Sequence, residues 1–128
     1  MRNIIFAGLL AASPAAAGVE EGRDFMEANQ FEAAMAEFLP AARSGNADAE
    51  ELIGVMYAMG LGVERDDVRA FEWYLRASLK GHPGAQSGIG WDYEVGRGTA
   101  GELVSAYLWY TLSAKGGEHE AATSLGRG

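Results

Sequence analysis

The pattern that runs from Ala47 to His82 comes back 36 positions later. Ala49, Ile53, Gly54, Tyr57, Gly60, Gly62, Ala70, Trp73, Tyr74 and Gly81 return as Ala85, Ile89, Gly90, Tyr93, Gly96, Gly98, Ala106, Trp109, Tyr110 and Gly117. A unit of this length cannot bury its own apolar face, so it has to stack on a neighbour of the same kind. Inside the unit, apolar residues recur at three- and four-residue spacing on either side of a Gly-x-Gly turn, which predicts two helices. The expected fold is all-α: a short α/α solenoid, or superhelix, of antiparallel helix hairpins.

The unit sets the organisation of the chain. A degenerate first repeat is expected over about 19–46, full repeats at 47–82 and 83–118, and a partial capping repeat at 119–128, where Ala121, Leu125 and Gly126 fall in register. In the first repeat, a short helix near Glu20 to Ala28 precedes one whose apolar stripe is Phe31, Ala34, Met35, Phe38, Leu39 and Ala42. Pro40 lies inside that second helix and is expected to bend or break it, because it has no N–H and its ring crowds the carbonyl four residues back. In the central repeat, Ala49, Leu52, Ile53, Met56 and Tyr57 form the stripe of helix A. Gly54 sits within that helix at a cost of about 1 kcal/mol in propensity, which predicts close approach of a neighbouring helix. Gly60 and Gly62 end helix A, and Asp66 or Asp67 is placed to cap helix B. Helix B turns Ala70, Trp73, Tyr74 and Ala77 inward, with Glu72 and Arg76 spaced for an exposed ion pair. In the third repeat, Thr99 and Glu102 have the spacing of a capping box that would start helix B early.

Residues 1–17, MRNIIFAGLLAASPAAA, read as a secretory signal peptide. Arg2 precedes an apolar run from Ile4 to Ala12, Pro14 interrupts it, and Ala15 to Ala17 suit cleavage before Gly18. The apolar run falls short of the roughly 20 residues that a bilayer span needs, so no membrane insertion is expected once it is removed. Cleavage would leave 9 basic against 18 acidic residues, a net charge of −9. The expected location is across the inner membrane, in the periplasm.

With 18 acidic and 10 basic residues, the chain carries a net charge of −8. Nucleic acid is a poor partner for it, since phosphate binding needs clustered Lys and Arg. The absence of cysteine removes disulfides, thiolate nucleophiles and Cys-based metal sites. His82 and His119 lack metal-ligand spacing. The GLG and GRG turns join helices instead of following a strand, and they lack a phosphate-loop lysine. No cofactor or metal is expected.

The run LIGxMYxxGLGVxxDxxxAxxWYxxA from Leu52 to Ala77, with its copy from Ile89 to Ser113, resembles the Sel-one-like repeat family, a relative of the tetratricopeptide repeat. It is similar in particular to small exported bacterial members of that family. The resemblance implies a superhelix whose A helices line a concave groove used for protein or peptide binding. It implies no shared catalytic residue set.

Candidate sites lie where the third repeat departs from the second. The pairs Trp73–Tyr74 and Trp109–Tyr110 recur with the period and read as core; Asp66 and Asp67 read as helix caps. Trp91 replaces Val55 off the core stripe of helix A, where an exposed tryptophan is a candidate anchor for a partner. Asp92 replaces Met56 at a core-facing position, where a carboxylate must be paired or bear a raised pKa. In the other reading, Trp91 folds over the space at Gly88 and Asp92 bonds a tyrosine or helix end. With Glu51 and Glu94 these residues form the candidate partner-binding set. The function expected is a non-catalytic exported scaffold for a protein or peptide, monomeric or weakly self-associating, its acidity favouring basic or mixed partners. The alternatives are an envelope hydrolase using carboxylates such as Asp92 and Glu94, or a self-associating structural module.

Overall fold

The computed structural model describes residues 14–124, which form six helices. These are α1 (Pro14–Glu27), α2 (Phe31–Arg43), α3 (Ala47–Met59), α4 (Asp67–Leu79), α5 (Pro83–Val95) and α6 (Leu103–Ser124). Most of the expected signal peptide lies outside the described residues. Helices next to each other in sequence pack on each other, α1 on α2 and so on to α6, so the chain is a row of stacked hairpins. Among the described residues there is no strand, and no helix is long and apolar enough to cross a membrane.

The period is written into the backbone. Gly45 and Gly81 adopt φ of 92° and 90°, Gly60 and Gly96 69° and 74°, and Gly62 and Gly98 71° and 72°. These left-handed positions stop helices or reverse the chain at sites where a side chain would be strained. Asn46 Oδ1 caps α3 by accepting from Ala49 N at 2.9 Å, and Asp66 Oδ1 caps α4 by accepting from Arg69 N at 3.0 Å. The turns close identically: Asp66 N donates to Tyr57 O at 3.0 Å, and Glu102 N to Tyr93 O at 2.8 Å.

Packing explains the helix glycines. A Cβ on Gly54 would lie 2.7 Å from the Tyr74 ring, and one on Gly90 2.8 Å from the Tyr110 ring. Each glycine therefore lets the aromatic of its own hairpin lie on bare helix backbone. In the first hairpin Phe38 does the same against Gly22, which lies one helical turn further along than the period would place it. Phe38, Ile53, Met56 and Ile89 are the largest fully buried side chains, and they string the core along the stack.

Five local expectations are corrected. Helix α1 begins at Pro14 and is as long as its neighbours. Helix α2 runs unbroken through Pro40 to Arg43; the proline falls near its C-terminal end, where few bonds are left to lose. Helix α6 starts at Leu103, in register with Asp67, so no Thr99 capping box starts it early. Arg76 does not pair with Glu72; its guanidinium lies 4.3 Å from the centroid of Trp73, a cation–π contact over a tryptophan that is itself partly buried against the core. Finally, α6 continues through Gly116 and Gly117 to Ser124, so among the described residues no separate helix starts after residue 118; 125–128 of the expected capping repeat lie outside them.

Candidate functional site

Helices α1, α3 and α5 stand side by side and build one polar face. At its centre is Asp48 of α3, whose carboxylate lies 4.0 Å from the Arg23 guanidinium of α1 and 2.8 Å from Nε2 of His82, the residue capping α5. His82 occupies the slot that Asn46 fills one repeat earlier, and its Nδ1 accepts from Ala85 N at 3.1 Å. With Nδ1 committed as an acceptor, the ring proton sits on Nε2 and donates to Asp48. The imidazole thus ties two repeats together while starting a helix. Replacing His82 with alanine is expected to cost about 1 kcal/mol in urea unfolding, with His82→Asn recovering most of it by keeping the cap; equal losses would place the effect on the Asp48 bond instead.

Glu51 lies further along the same face. Burial raises its carboxyl above the ordinary value, His82 and Arg23 draw it back, and Asp48 pushes it further up. Its Oε2 lies 3.8 Å from the point a Gly84 Cβ would occupy. At Gly88, one turn on from Gly84, a Cβ would lie 3.4 Å from the Tyr74 ring, which packs against α5 there. Burial, reinforced by Glu51 and Asp92, pushes the Tyr74 hydroxyl well above its usual range. The ring therefore forms an uncharged floor between two carboxylates.

The remaining candidates are dispersed. Trp91 is 47% exposed and stands out from α5; it does not cover Gly88, whose near neighbours are Tyr74 atoms. Asp92 is 3% exposed, and its Oδ2 has no hydrogen-bond partner. Burial raises its pKa to about 6, against the pull of Arg97 and with a push from Asp67. It bonds neither a tyrosine nor a helix end. Glu94 accepts the Tyr110 hydroxyl at 2.7 Å, and burial together with that bond pushes the tyrosine up to about 12. Asp92 and Glu94 point in different directions from one helix, so they do not converge as an acid–base pair would have to. Among the described residues, no cluster of three or more His, Asp or Glu could hold a metal.

Two side chains, Lys80 and Gln86, make contacts that carry no mark in the sequence. Lys80, at the end of α4, reaches back to Glu50 Oε2 at 2.7 Å and to Gly45 O at 3.2 Å. In the next repeat Gln86 stands where Glu50 does, and it donates to Ser78 O at 3.1 Å. The Lys80–Glu50 pair ties the two helices of one hairpin together, while the bonds of Lys80 to Gly45 and of Gln86 to Ser78 fasten one hairpin to the next.

The Sel1 repeat pattern matches residues 47–82 and 83–118. The chain belongs to the Sel1 repeat family. Its fold is similar to that of a Sel1 repeat protein from Oxalobacter formigenes, at 33% identity and a TM-score of 0.75 over 84% of this chain and 44% of that one. It is also similar to c5321, a protective antigen present in uropathogenic Escherichia coli strains that displays an SLR fold, at 28% identity and a TM-score of 0.77 over 88% of this chain and 25% of that one. The chain thus spans less than half the length of either structure. A search of curated proteins gave no match. Sel1 repeats are protein-interaction scaffolds, and in this one α5 joins the polar face of Arg23, Asp48 and Glu51 at His82 and carries the exposed Trp91 further along.

Proposed function

We propose that the chain is a non-catalytic scaffold, exported to the periplasm, that holds a basic or mixed-charge segment of another protein against its A helices. The observation that carries this reading is the make-up of that face: Asp48 and Glu51 lie beside the first turn of α5, left without a side chain at the exposed Gly84, and the same helix carries the exposed Trp91. The turn left open at Gly84 admits an extended backbone, acidic groups steer a cationic segment towards it, and a tryptophan supplies contact area once it arrives. The separation of Asp92 from Glu94 speaks against that pair as the acid and base of a hydrolase.

Two measurements test it. N-terminal sequencing of the protein recovered from a periplasmic fraction should begin at Gly18; a cytoplasmic protein that still carries Met1 would refute export. A photo-crosslinking residue at Glu51 should capture a partner whose cross-linked segment, made as a peptide, binds the purified chain. Trp91→Ala should then weaken binding about tenfold or more, the scale of an aromatic anchor, without moving the melting temperature. A large fall in melting temperature would make Trp91 structural and remove the anchor.

A further inference from the structure

Helix α6 carries an apolar surface that the repeat does not call for. At the corresponding positions of α4, Asp67 and Phe71 are covered by the following repeat. The Gly98 turn sits against the Asp67 carbonyl, and Phe71 meets the Tyr93 ring edge-on at 5.5 Å between centroids. On α6 the same two positions are Leu103 and Tyr107, 72% and 70% exposed. The next two differ more tellingly. Glu72 and Arg76 face solvent on α4, whereas α6 has Leu108 and Leu112 there, 55% and 47% exposed. With Val104 between the two pairs, these side chains cover half the circumference of the helix at 100° per residue. From Leu103 to Ala114 there is no charged residue, in a chain of net charge −8.

We infer that this face of α6 is a homodimer interface, in which two copies of the chain cross their α6 helices antiparallel about a twofold axis. Three arguments select a second copy over other occupants. A further repeat stacked in solenoid register would cover Leu103 and Tyr107 but leave Leu108 and Leu112 in water; an antiparallel α6 covers both pairs, because a twofold axis near Tyr107 and Leu108 sets Leu103 of one chain beside Leu112 of the other. The five side chains expose on the order of 500 Å² of apolar area, close to the apolar share of the roughly 800 Å² per partner in a standard interface. An uncharged strip is also where two strongly acidic molecules can meet with least repulsion. The inference is independent of what the A-helix face binds.

The test is sedimentation equilibrium of the full chain across protein concentration and salt. A monomer–dimer equilibrium is expected, strengthening as salt screens the repulsion between the two acidic bodies. The double variant Leu108→Glu/Leu112→Arg restores the residues found on α4 at exposed positions. It should therefore stay folded by circular dichroism and be monomeric at concentrations where the parent is dimeric. Because the chain has no cysteine, Leu108→Cys should form an oxidised disulfide dimer while Glu72→Cys does not. A monomeric parent at all concentrations, a dimer that survives the double variant, or equal cross-linking at both cysteines would overturn the inference. A monomer that instead co-sediments with neutral phosphatidylcholine vesicles would assign the face to a lipid surface and overturn it as well.

Discussion

Gly98→Ala is expected to destabilise the protein several-fold more than Gly81→Ala, although both glycines sit in the left-handed region, at φ of 72° and 90°. Gly81 has nothing within 4 Å of the position a Cβ would take. Its replacement costs only the backbone strain, about 1–2 kcal/mol. At Gly98 the same methyl would run into the Asp67 carbonyl oxygen, with the Asp67 carbonyl carbon at 2.8 Å and Phe71 Cβ at 3.1 Å. Those atoms belong to the first turn of α4 and cannot rotate away. Relief requires lifting the third repeat's turn off α4, which also breaks the edge-on contact of Phe71 with Tyr93. The predicted cost is about 4 kcal/mol or more, the range reserved for a defined steric or packing failure. Thermal and urea unfolding of the two variants decide it; equal losses would show that the turn does not clamp the repeat below. Gly62, whose Cβ would lie 2.7 Å from Phe31 Cβ, should behave like Gly98.

The contrast between these glycines also shows why the fold is legible in the sequence and the site is not. Turn glycines, caps and inward aromatics recur every 36 residues because each solves a local problem, such as a left-handed φ or a free N–H, that returns with every hairpin. The contacts between repeats have no local signature. Lys80 meets the Gly45 carbonyl of the preceding repeat, and His82 meets Asp48 across two helices. The cap role of His82 is nonetheless readable, since it stands one period after Asn46. The period alone would end a helix at Gly117 as it does at Gly81, but the neighbours of the two glycines decide otherwise. Gly81 precedes His82 and Pro83, and the proline drives the residue before it out of the helical region. Gly117 precedes Glu118, His119 and Glu120, none of which stops a helix. Two departures of the third repeat, Trp91 and Asp92, mark different things: one side chain placed in solvent, the other buried with an oxygen left unpaired.

That unpaired oxygen leads to the second large effect. Replacing Asp92 with methionine, the residue that fills the equivalent position of α3 at Met56 with no exposure, is expected to stabilise the protein at neutral pH and to do little at pH 4. Asp92 is faced by Tyr74 and Asp67 from α4, Arg97 from the turn and Tyr110 from α6. Only Arg97 favours the charged form. Burial dominates and lifts the carboxyl from 3.8 to about 6, so the native state holds a proton that the unfolded chain has released. Wherever the native state binds more protons, stability falls as pH rises. The loss begins near the ordinary value of 3.8, is complete above about 6, and amounts to roughly 3 kcal/mol by linkage. Urea unfolding of the parent should therefore show stability declining across that window, and the methionine variant should show that decline removed. Asp92→Asn should flatten the profile as well but gain less at neutral pH, because its amide is still a buried polar group without an assured partner. Parallel pH profiles for parent and both variants would mean that the carboxylate is relieved by water or by Arg97, and the exchange of Met56 for Asp92 between repeats would then carry no energetic consequence.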